Sequence, residues 1–351
     1  MSSIMSNIRP PSTLARREPL WFAAPGAAIL YPFPLVAFHS ATGLIAAGRM
    51  MGWIIASLSL TLAIVLPLFA LLVAFRVSQI HRPSAAERLA RRVAVLAVAA
   101  PPLFTFTGVI FILLGAPHLD IWFVTVMWMV LASAIARADH RAPALVKLTP
   151  PHSKMRAAHG VAAVLALVYI AFHFGNHLVG LAGHDAHTGV MKVLRLVYRS
   201  AWVEPILLVA FAFLIVSGAR MSWRLTERGT DYYRTFQITA GIYLIFAVIS
   251  HLNAVLYLAR VHFGIDTDWA FATGAPVGML KDPWNIRLVP YYLLATFFVV
   301  AHAFSGLRVV MLAHGARRLT ADVVMWCGSA FAALLAIVII LAMCGLRVNF
   351  V

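Results

Sequence analysis

The sequence contains few charged residues, and acidic residues are the scarcest of them. Only 11% of the 351 residues are charged, 12 residues are Asp or Glu, and 62% of the chain is hydrophobic. A soluble domain of this length needs much more polar surface to face water. The composition therefore excludes a soluble globular fold and indicates that lipid surrounds most of the chain.

Cysteine is also rare, with Cys327 and Cys344 as the only two in the chain. Both lie in the last apolar stretch, nearly five helical turns apart at about 3.6 residues per turn. That separation is too long for one disulfide bond or for one shared metal ion. The two cysteines therefore form neither a disulfide nor a metal pair.

What the sequence has in abundance is long runs without charge. About twenty apolar residues cross a bilayer core as a helix. Ile121–Ala136 and Pro205–Ala219 are shorter, and span comfortably only if flanking Arg or Glu side chains reach the interface. Runs of such length exclude barrel strands, so we predict an all-α, polytopic helical bundle. The nine predicted spans are Pro19–Gly48, Met50–Phe75, Val93–Leu119, Ile121–Ala136, Ala157–His184, Pro205–Ala219, Thr235–Ala259, Leu288–Leu307 and Val323–Leu346.

The basic residues are distributed unevenly between alternate loops. With the N-terminus inside, the inner segments carry 20 of the 28 Lys and Arg residues, which satisfies the positive-inside rule for nine spans with the C-terminus outside. Topology thus explains the net charge of +16 without nucleic acid. The first 18 residues show no apolar segment followed by a small-residue cleavage site, so we expect no cleaved signal peptide. The outer segments also hold Asp120, Asp185, Asp266, Asp268 and Asp282.

A polar, basic segment divides the chain into two parts. The stretch Arg137–Arg156 separates four predicted spans from five. Across it, Val36-Ala37-Phe38-His39 is similar to Ile170-Ala171-Phe172-His173. Such a repeat suggests tandem duplication of a four-helix bundle, although chance similarity between apolar segments is the alternative. We expect an N-terminal four-helix membrane bundle in residues 1–150 and a five-helix domain in residues 151–351.

Histidines are nearly the only ionisable residues inside the predicted spans. Ionisable groups in a bilayer are costly and are usually functional. Alternatively, each histidine has only a structural role and forms a hydrogen bond to a neighbouring helix. The histidines in question are His39, His159, His173, His177, His251 and His302.

Two of these histidines fall at the same depth. His173 and His251 lie about 15 and 16 residues beyond the inner ends of their spans, and a rise of about 1.5 Å per residue places both in the outer half. Two neutral imidazoles that face each other across a bundle are what axial ligation of haem iron from both sides requires. His177, at i+4 from His173, could instead complete a small metal site. We favour haem because no Cys, Asp or Glu lies at that depth. His302 falls in a deeper, inner layer.

From about Lys154 onwards the chain resembles a known family, the cytochrome b membrane anchors of succinate dehydrogenases and fumarate reductases. The resemblance is to the single-subunit, five-helix form that carries two haems, and four motifs occur in the family's order. They are Arg156-Ala157-Ala158-His159-Gly160 before Phe172-His173, Tyr198-Arg199-Ser200-Ala201-Trp202-Val203-Glu204 before Ser217-Gly218, Arg234-Thr235-Phe236-Gln237-Ile238-Thr239-Ala240-Gly241 before Ser250-His251, and Ala301-His302-Ala303-Phe304-Ser305-Gly306-Leu307.

The resemblance implies a set of cofactors and partners. It implies that His173 and His251 ligate a haem b near the outer face, and that His302 is one ligand of an inner haem. The family's partner for that inner histidine falls near Leu214, which cannot bind iron, so one haem is expected and a second is doubtful. The first 150 residues would be a degenerate or accessory bundle without haem.

The implied activity is electron transfer between a membrane quinone and a peripheral dehydrogenase. FAD-containing and iron–sulfur subunits would dock on the inner face of a bacterial cytoplasmic membrane, and the chain itself would be a non-catalytic or quinone-reactive subunit of an oxidoreductase. Glu204, at the outer mouth of its span, is similar to an acidic residue of the family and would be a proton site for the quinone, because desolvation raises the pKa of a carboxyl group. Alternatively, Glu204 has no role in proton transfer and is stabilised by the helix dipole at the N-terminus of its helix.

Two other function classes fit the same residues. A transporter could use buried histidines to relay protons, and it should then show paired helix breaks near mid-membrane in both halves. Prolines occur at Pro67 and at Pro101 and Pro102 in the first half, without counterparts in the second. The last alternative is a structural anchor in which the histidines only pack.

Overall fold

A computed structural model of the chain describes residues 19–141 and 153–348. Within those ranges all regular structure is helical. The N-terminal tail, for which the sequence predicts no cleaved signal peptide, lies outside the described residues. So does the centre of the polar segment, with the predicted domain boundary at residue 150. The α-helices are α1 (Leu20–Leu30), α2 (Pro32–Ala46), α3 (Met50–Ser78), α4 (Ala85–Ala97), α5 (Ala100–Leu113), α6 (Asp120–Arg137), α7 (Ser153–Val179), α8 (His184–Tyr198), α9 (Val203–Leu225), α10 (Tyr232–Leu252), α11 (Trp269–Thr273), α12 (Leu288–Ala313) and α13 (Arg318–Met343).

Eight helical segments are long and apolar enough to cross a membrane. Each overlaps one of the nine predicted spans, which confirms the prediction of a helical bundle with membrane-spanning helices. One of the segments is longer than a single α-helix, because α10 continues without interruption into a π-helix at Asn253–His262. The eight segments are Leu20–Ala46, Met50–Ser78, Pro117–Arg137, Lys154–Ala182, Val203–Leu225, Tyr232–His262, Asn285–Ala313 and Arg318–Met343.

The remaining predicted span, Val93–Leu119, is not one straight helix. It corresponds to α4 and α5, which meet at an angle of 70°. Pro101 and Pro102 lie in the first turn of α5 and cannot donate to the last carbonyl groups of α4, so the helix restarts there. The start of α4 is defined by Ser84, whose hydroxyl accepts from the Glu87 amide while the Glu87 carboxylate accepts from the Ser84 amide. Together the pair can provide one broken span.

Large apolar side chains cover the outside of the bundle. Such exposure would mark aggregation-prone surface in a soluble protein, whereas a lipid environment stabilises it. Five of these side chains, taken from four helices, are each more than 60% exposed. They are Leu58, Leu72, Trp122, Val209 and Leu334.

The last five long helices form a closed ring. Each packs against its neighbours in the order α7, α9, α10, α12, α13 and back to α7. Among the described residues, helices on opposite sides of the ring make almost no backbone contact. Side chains from α7, α10 and α12 therefore meet inside the ring, as His173, His251 and Tyr292 do.

Two tyrosines connect α10 and α12. The hydroxyl of Tyr243 donates to the carbonyl of Tyr291 at 2.9 Å, and the hydroxyl of Tyr291 donates to the carbonyl of Ala247 at 2.7 Å. Both tyrosines are buried. The two bonds run in opposite directions between the helices, and so they fix the register of α10 against α12.

The first half of the chain packs on the outside of this ring. Helices α3, α4 and α5 all contact α10, and α5 also contacts α12. Arg91 of α4 is only 1% exposed, and its guanidinium donates to the carbonyls of Val77, Ile80 and Thr226. One buried cation thereby joins the ends of α3, α4 and α9.

Candidate functional site

His173 and His251 face each other inside the ring. His173 lies on α7 and His251 near the end of α10, and both side chains are half-buried. Their ring centres are 6.0 Å apart and their planes are inclined by 69°. The structure therefore brings together the two histidines that the sequence places at equal depth.

Aromatic side chains hold the imidazoles of His173 and His251 in place. Tyr169, one turn before His173, stacks on its imidazole with ring centres 5.6 Å apart and planes 21° apart. Phe211 of α9 packs edge-on against Tyr169. On the other side, Tyr292 of α12 lies edge-on to His251 at 6.2 Å. Three helices thus restrict the orientation of the histidine pair.

His177 is the immediate neighbour of His173. Its Nε2 lies 3.3 Å from Nε2 of His173, so that one imidazole can donate to the other. This contact occupies the His173 nitrogen that would bind a metal. In the described part of the chain no group of three or more His, Cys, Asp or Glu side chains is arranged to hold a metal ion. The small-metal alternative at His173 and His177 therefore lacks further ligands.

A polar cap closes the end of this cluster that the sequence predicts to be the outer one. It consists of Asn176 on α7, His187 on α8 and Trp269 on α11, which are 8%, 3% and 2% exposed. The rings of His187 and Trp269 have centres 4.3 Å apart, and that of His177 lies 5.5 Å from His187 and 5.8 Å from Trp269. Burial lowers the pKa of His187 to about 4, so that its imidazole is neutral at pH 7.

The cap was not predicted from the sequence. Residues 185–200 were assigned to an outer loop, yet they form most of α8. Its apolar residues Val193, Leu196 and Val197 are all more than 60% exposed, whereas Arg195 on another face donates to the carboxylate of Asp266. This two-sided pattern is typical of a helix in the membrane interface, and it was the signal available in the sequence.

His302 and His159 occupy the inner layer. Nδ1 of His159 lies 2.7 Å from the hydroxyl of Ser217, which itself donates to the carbonyl of Phe213. Ser217 must therefore accept from His159, which places the proton on Nδ1 and leaves Nε2 of His159 with a free lone pair. His302 packs against Gly241, where an added Cβ would lie 3.2 Å from its Cε1. Its buried Nδ1 has no hydrogen-bond partner in residues 19–141 and 153–348.

Other predicted site residues make no hydrogen bond or ring contact with the histidine pair in the described part of the chain. Glu204 is in the first turn of α9 and accepts from Arg260 at 2.6 Å, with both side chains partly exposed. His39 is exposed on α2. Leu214, which takes the place of a family histidine, is half-buried on α9.

Comparison of the chain with protein-family models, with curated proteins and with solved structures finds no match. The interpretation of the site therefore depends on its geometry and on the sequence motifs.

Proposed function

We propose that the ring of α7, α9, α10, α12 and α13 is a b-type cytochrome, with His173 and His251 as the axial ligands of one haem. The observation that carries this proposal is the pairing of the two imidazoles across the ring at 6.0 Å. With each metal–nitrogen bond about 2 Å long, two axial imidazoles have ring centres about 6 Å apart. A haem held there would carry single electrons.

The surroundings of the pair fit such a group in two respects and resist it in one. The backbones of α7 and α10 make almost no contact, so their separation is set by side chains, and Tyr169 and Tyr292 provide an aromatic lining. In contrast, Nε2 of His173 must give up its contact with His177 before it can ligate. His177 would thus compete with the haem iron for Nε2 of His173.

The inner layer offers a second pair of imidazoles. Leu214 of α9 stands where the family has a histidine, and His159 of α7 lies beside Ser217, about one turn further along α9. The hydrogen bond to Ser217 fixes the tautomer of His159 that a metal ligand needs. If a second haem is bound, we propose that His159 and His302 are its ligands.

The proposed physiological role is transfer of electrons between membrane quinone and a peripheral flavin and iron–sulfur dehydrogenase. The basic residues predicted on the inner side support docking there, and they also satisfy the topology rule. Glu204 is proposed as a proton site for the quinone, with Arg260 holding its carboxylate in place. Quinol oxidation that is unchanged in the Glu204→Gln variant would remove this role.

A reduced-minus-oxidised optical spectrum of the purified chain tests the haem. We expect an α-band of six-coordinate b haem that is lost in both His173→Ala and His251→Ala. His39→Ala is the matched control, because His39 is exposed and lies in the first half. A featureless spectrum of the wild-type protein from a haem-replete host would refute the proposal.

Proton-coupled transport remains the alternative function, and the broken pair α4 and α5 is the observation in its favour. Discontinuous helices often form transport sites, but they occur in corresponding places of both halves. Among the described helices only this pair shows such a bend. The asymmetry favours the cytochrome over the transporter.

A further inference from the structure

The outer cap contains several buried polar atoms that have no hydrogen-bond partner in the described part of the chain. Buried polar groups in native proteins are nearly always paired, so each exception needs an explanation. Here the exceptions lie together, where Asn176, His187 and Trp269 meet His177. The atoms are Oδ1 of Asn176, Nδ1 of His177, Nδ1 of His187 and Nε1 of Trp269.

Two of these atoms are hydrogen-bond donors. Nδ2 of Asn176 donates to Nε2 of His187 at 3.1 Å, so in the neutral imidazole the proton is on Nδ1. The indole Nε1 of Trp269 can only donate. The ring centres of the two side chains are 4.3 Å apart, so the cap holds two buried N–H groups, on neighbouring rings, that require an acceptor.

The position of Trp269 is well determined by its packing. Its six-membered ring lies so close to Gly180, just beyond the end of α7, that a Cβ on this glycine would overlap it. The indole also lies beside the imidazoles of His177 and His187. Trp269 and His187 are therefore held beside His177, the neighbour of His173.

We infer that the cap binds a ligand that presents an oxygen acceptor, a carbonyl or a carboxylate, to Nε1 of Trp269 and Nδ1 of His187. This inference deepens the proposed function and rests on it for the ligand class. Two sources offer the same chemistry at this place. One is the carbonyl of a quinone that enters from the membrane, and the other is a propionate of a haem held by His173 and His251.

The experiment uses the purified full chain in lipid nanodiscs and two variants that each remove one donor. Trp269→Phe keeps an aromatic ring but lacks the N–H group, and His187→Gln keeps a polar group next to Asn176 but lacks a donor at the Nδ1 position. Trp202→Phe is the matched control, because Trp202 is 82% exposed. Either donor variant suffices if the other fails to fold.

Two readouts distinguish the sources of the acceptor. For a quinone, we expect the Kd of decylubiquinone to rise about tenfold in each donor variant, the effect of losing one buried hydrogen bond. For a propionate, we expect an unchanged Kd and a shifted haem midpoint potential in an optical titration without quinone. In both cases the Trp202→Phe variant should behave like the wild type.

An unchanged Kd together with an unchanged midpoint potential would overturn the inference and leave only buried water at the cap. This result differs from failure of the proposed function, which is the absence of a haem spectrum in the wild type. If the wild type holds no haem, the decylubiquinone titration still decides whether the cap binds an acceptor.

Discussion

Arg287 donates to Asp120 at 2.7 Å, and this ion pair joins the N-terminus of α6 to the segment that leads into α12. The side chains are only 10% and 4% exposed. The guanidinium also lies 4.3 Å from the ring centre of Phe104 on α5. The two halves of the chain are therefore connected by a buried charge pair as well as by apolar packing.

Removal of one member of this pair should destabilise the protein strongly. Asp120→Asn leaves Arg287 buried without its counter-charge, and we expect a loss of about 3–5 kcal/mol in the free energy of unfolding. The double variant with Arg287→Met should lose less than the sum of the two single changes. Denaturant titration in mixed micelles measures this, with the exposed Asp185→Asn as a control. Equal, additive losses would show that the two residues act independently.

Gly108 provides a test of the same pair through packing. A Cβ at this position would overlap Nη1 of Arg287 and lie 3.2 Å from Oδ2 of Asp120. We expect Gly108→Ala to displace the guanidinium and to lower the free energy of unfolding by about 1–3 kcal/mol. Gly26→Ala in α1 is the control, because nothing lies within 4 Å of its added Cβ. A stabilised Gly108→Ala variant would contradict the packing described above.

His177 and His173 should respond differently to substitution. His177→Ala frees Nε2 of His173 from its only described hydrogen bond, so we expect the haem α-band to remain and haem affinity to be equal or higher. His173→Ala should abolish the band. Haem titration of the apoprotein, followed optically, gives both results. A band that survives His173→Ala and is lost in His177→Ala would show that His177 is the ligand.

Asp266 should make the connection between α10 and α12 sensitive to acid. Hydrogen bonds and charge from Arg199 and Arg195 lower the pKa of Asp266 below its ordinary value. A carboxylate with a lowered folded-state pKa contributes stability above its unfolded pKa of about 3.9, and this contribution is lost as the pH falls through the folded-state value. Since Asp266 is largely exposed, we expect at most about 1 kcal/mol, and less at high salt.

Hydrogen exchange in the segment 264–268 measures this effect. Protection should decrease between pH 5 and pH 2 in the wild type, after correction for the intrinsic exchange rate, and should be low at both values in Asp266→Asn. An equal pH response in the variant would show that another group is responsible.

The spans and the His173 and His251 pair could be predicted from the sequence because both depend on simple quantities. The lengths of the uncharged runs give the number of membrane crossings, and the rise per residue of a helix gives the depth of each side chain in the membrane. The behaviour of prolines was harder to foresee. Helix α3 continues through Pro67, whereas the helix restarts as α5 at Pro101 and Pro102. Two consecutive prolines lack a backbone N–H and so leave two carbonyl groups of the preceding turn without a donor.

The cap and the ligand environment could not be predicted for a different reason. His187 comes close to His177 only through the fold of α8 over the end of α7, which no local pattern encodes. The role of His159 likewise depends on Ser217, a residue 58 positions away in the chain. In apolar helices, moreover, the sequence does not define which face points into the ring.

The reciprocal bonds of Tyr243 and Tyr291 limit how this protein can move. A shear of α10 along α12 would break both hydrogen bonds at once, in a buried place where neither hydroxyl could find water. The two helices should therefore move as one rigid unit. In the described structure the backbone of α7 packs mainly against α8, α9, α13 and the short turn at its end. We therefore expect any opening of the ring that admits a flat ligand to move α7 rather than α10 or α12.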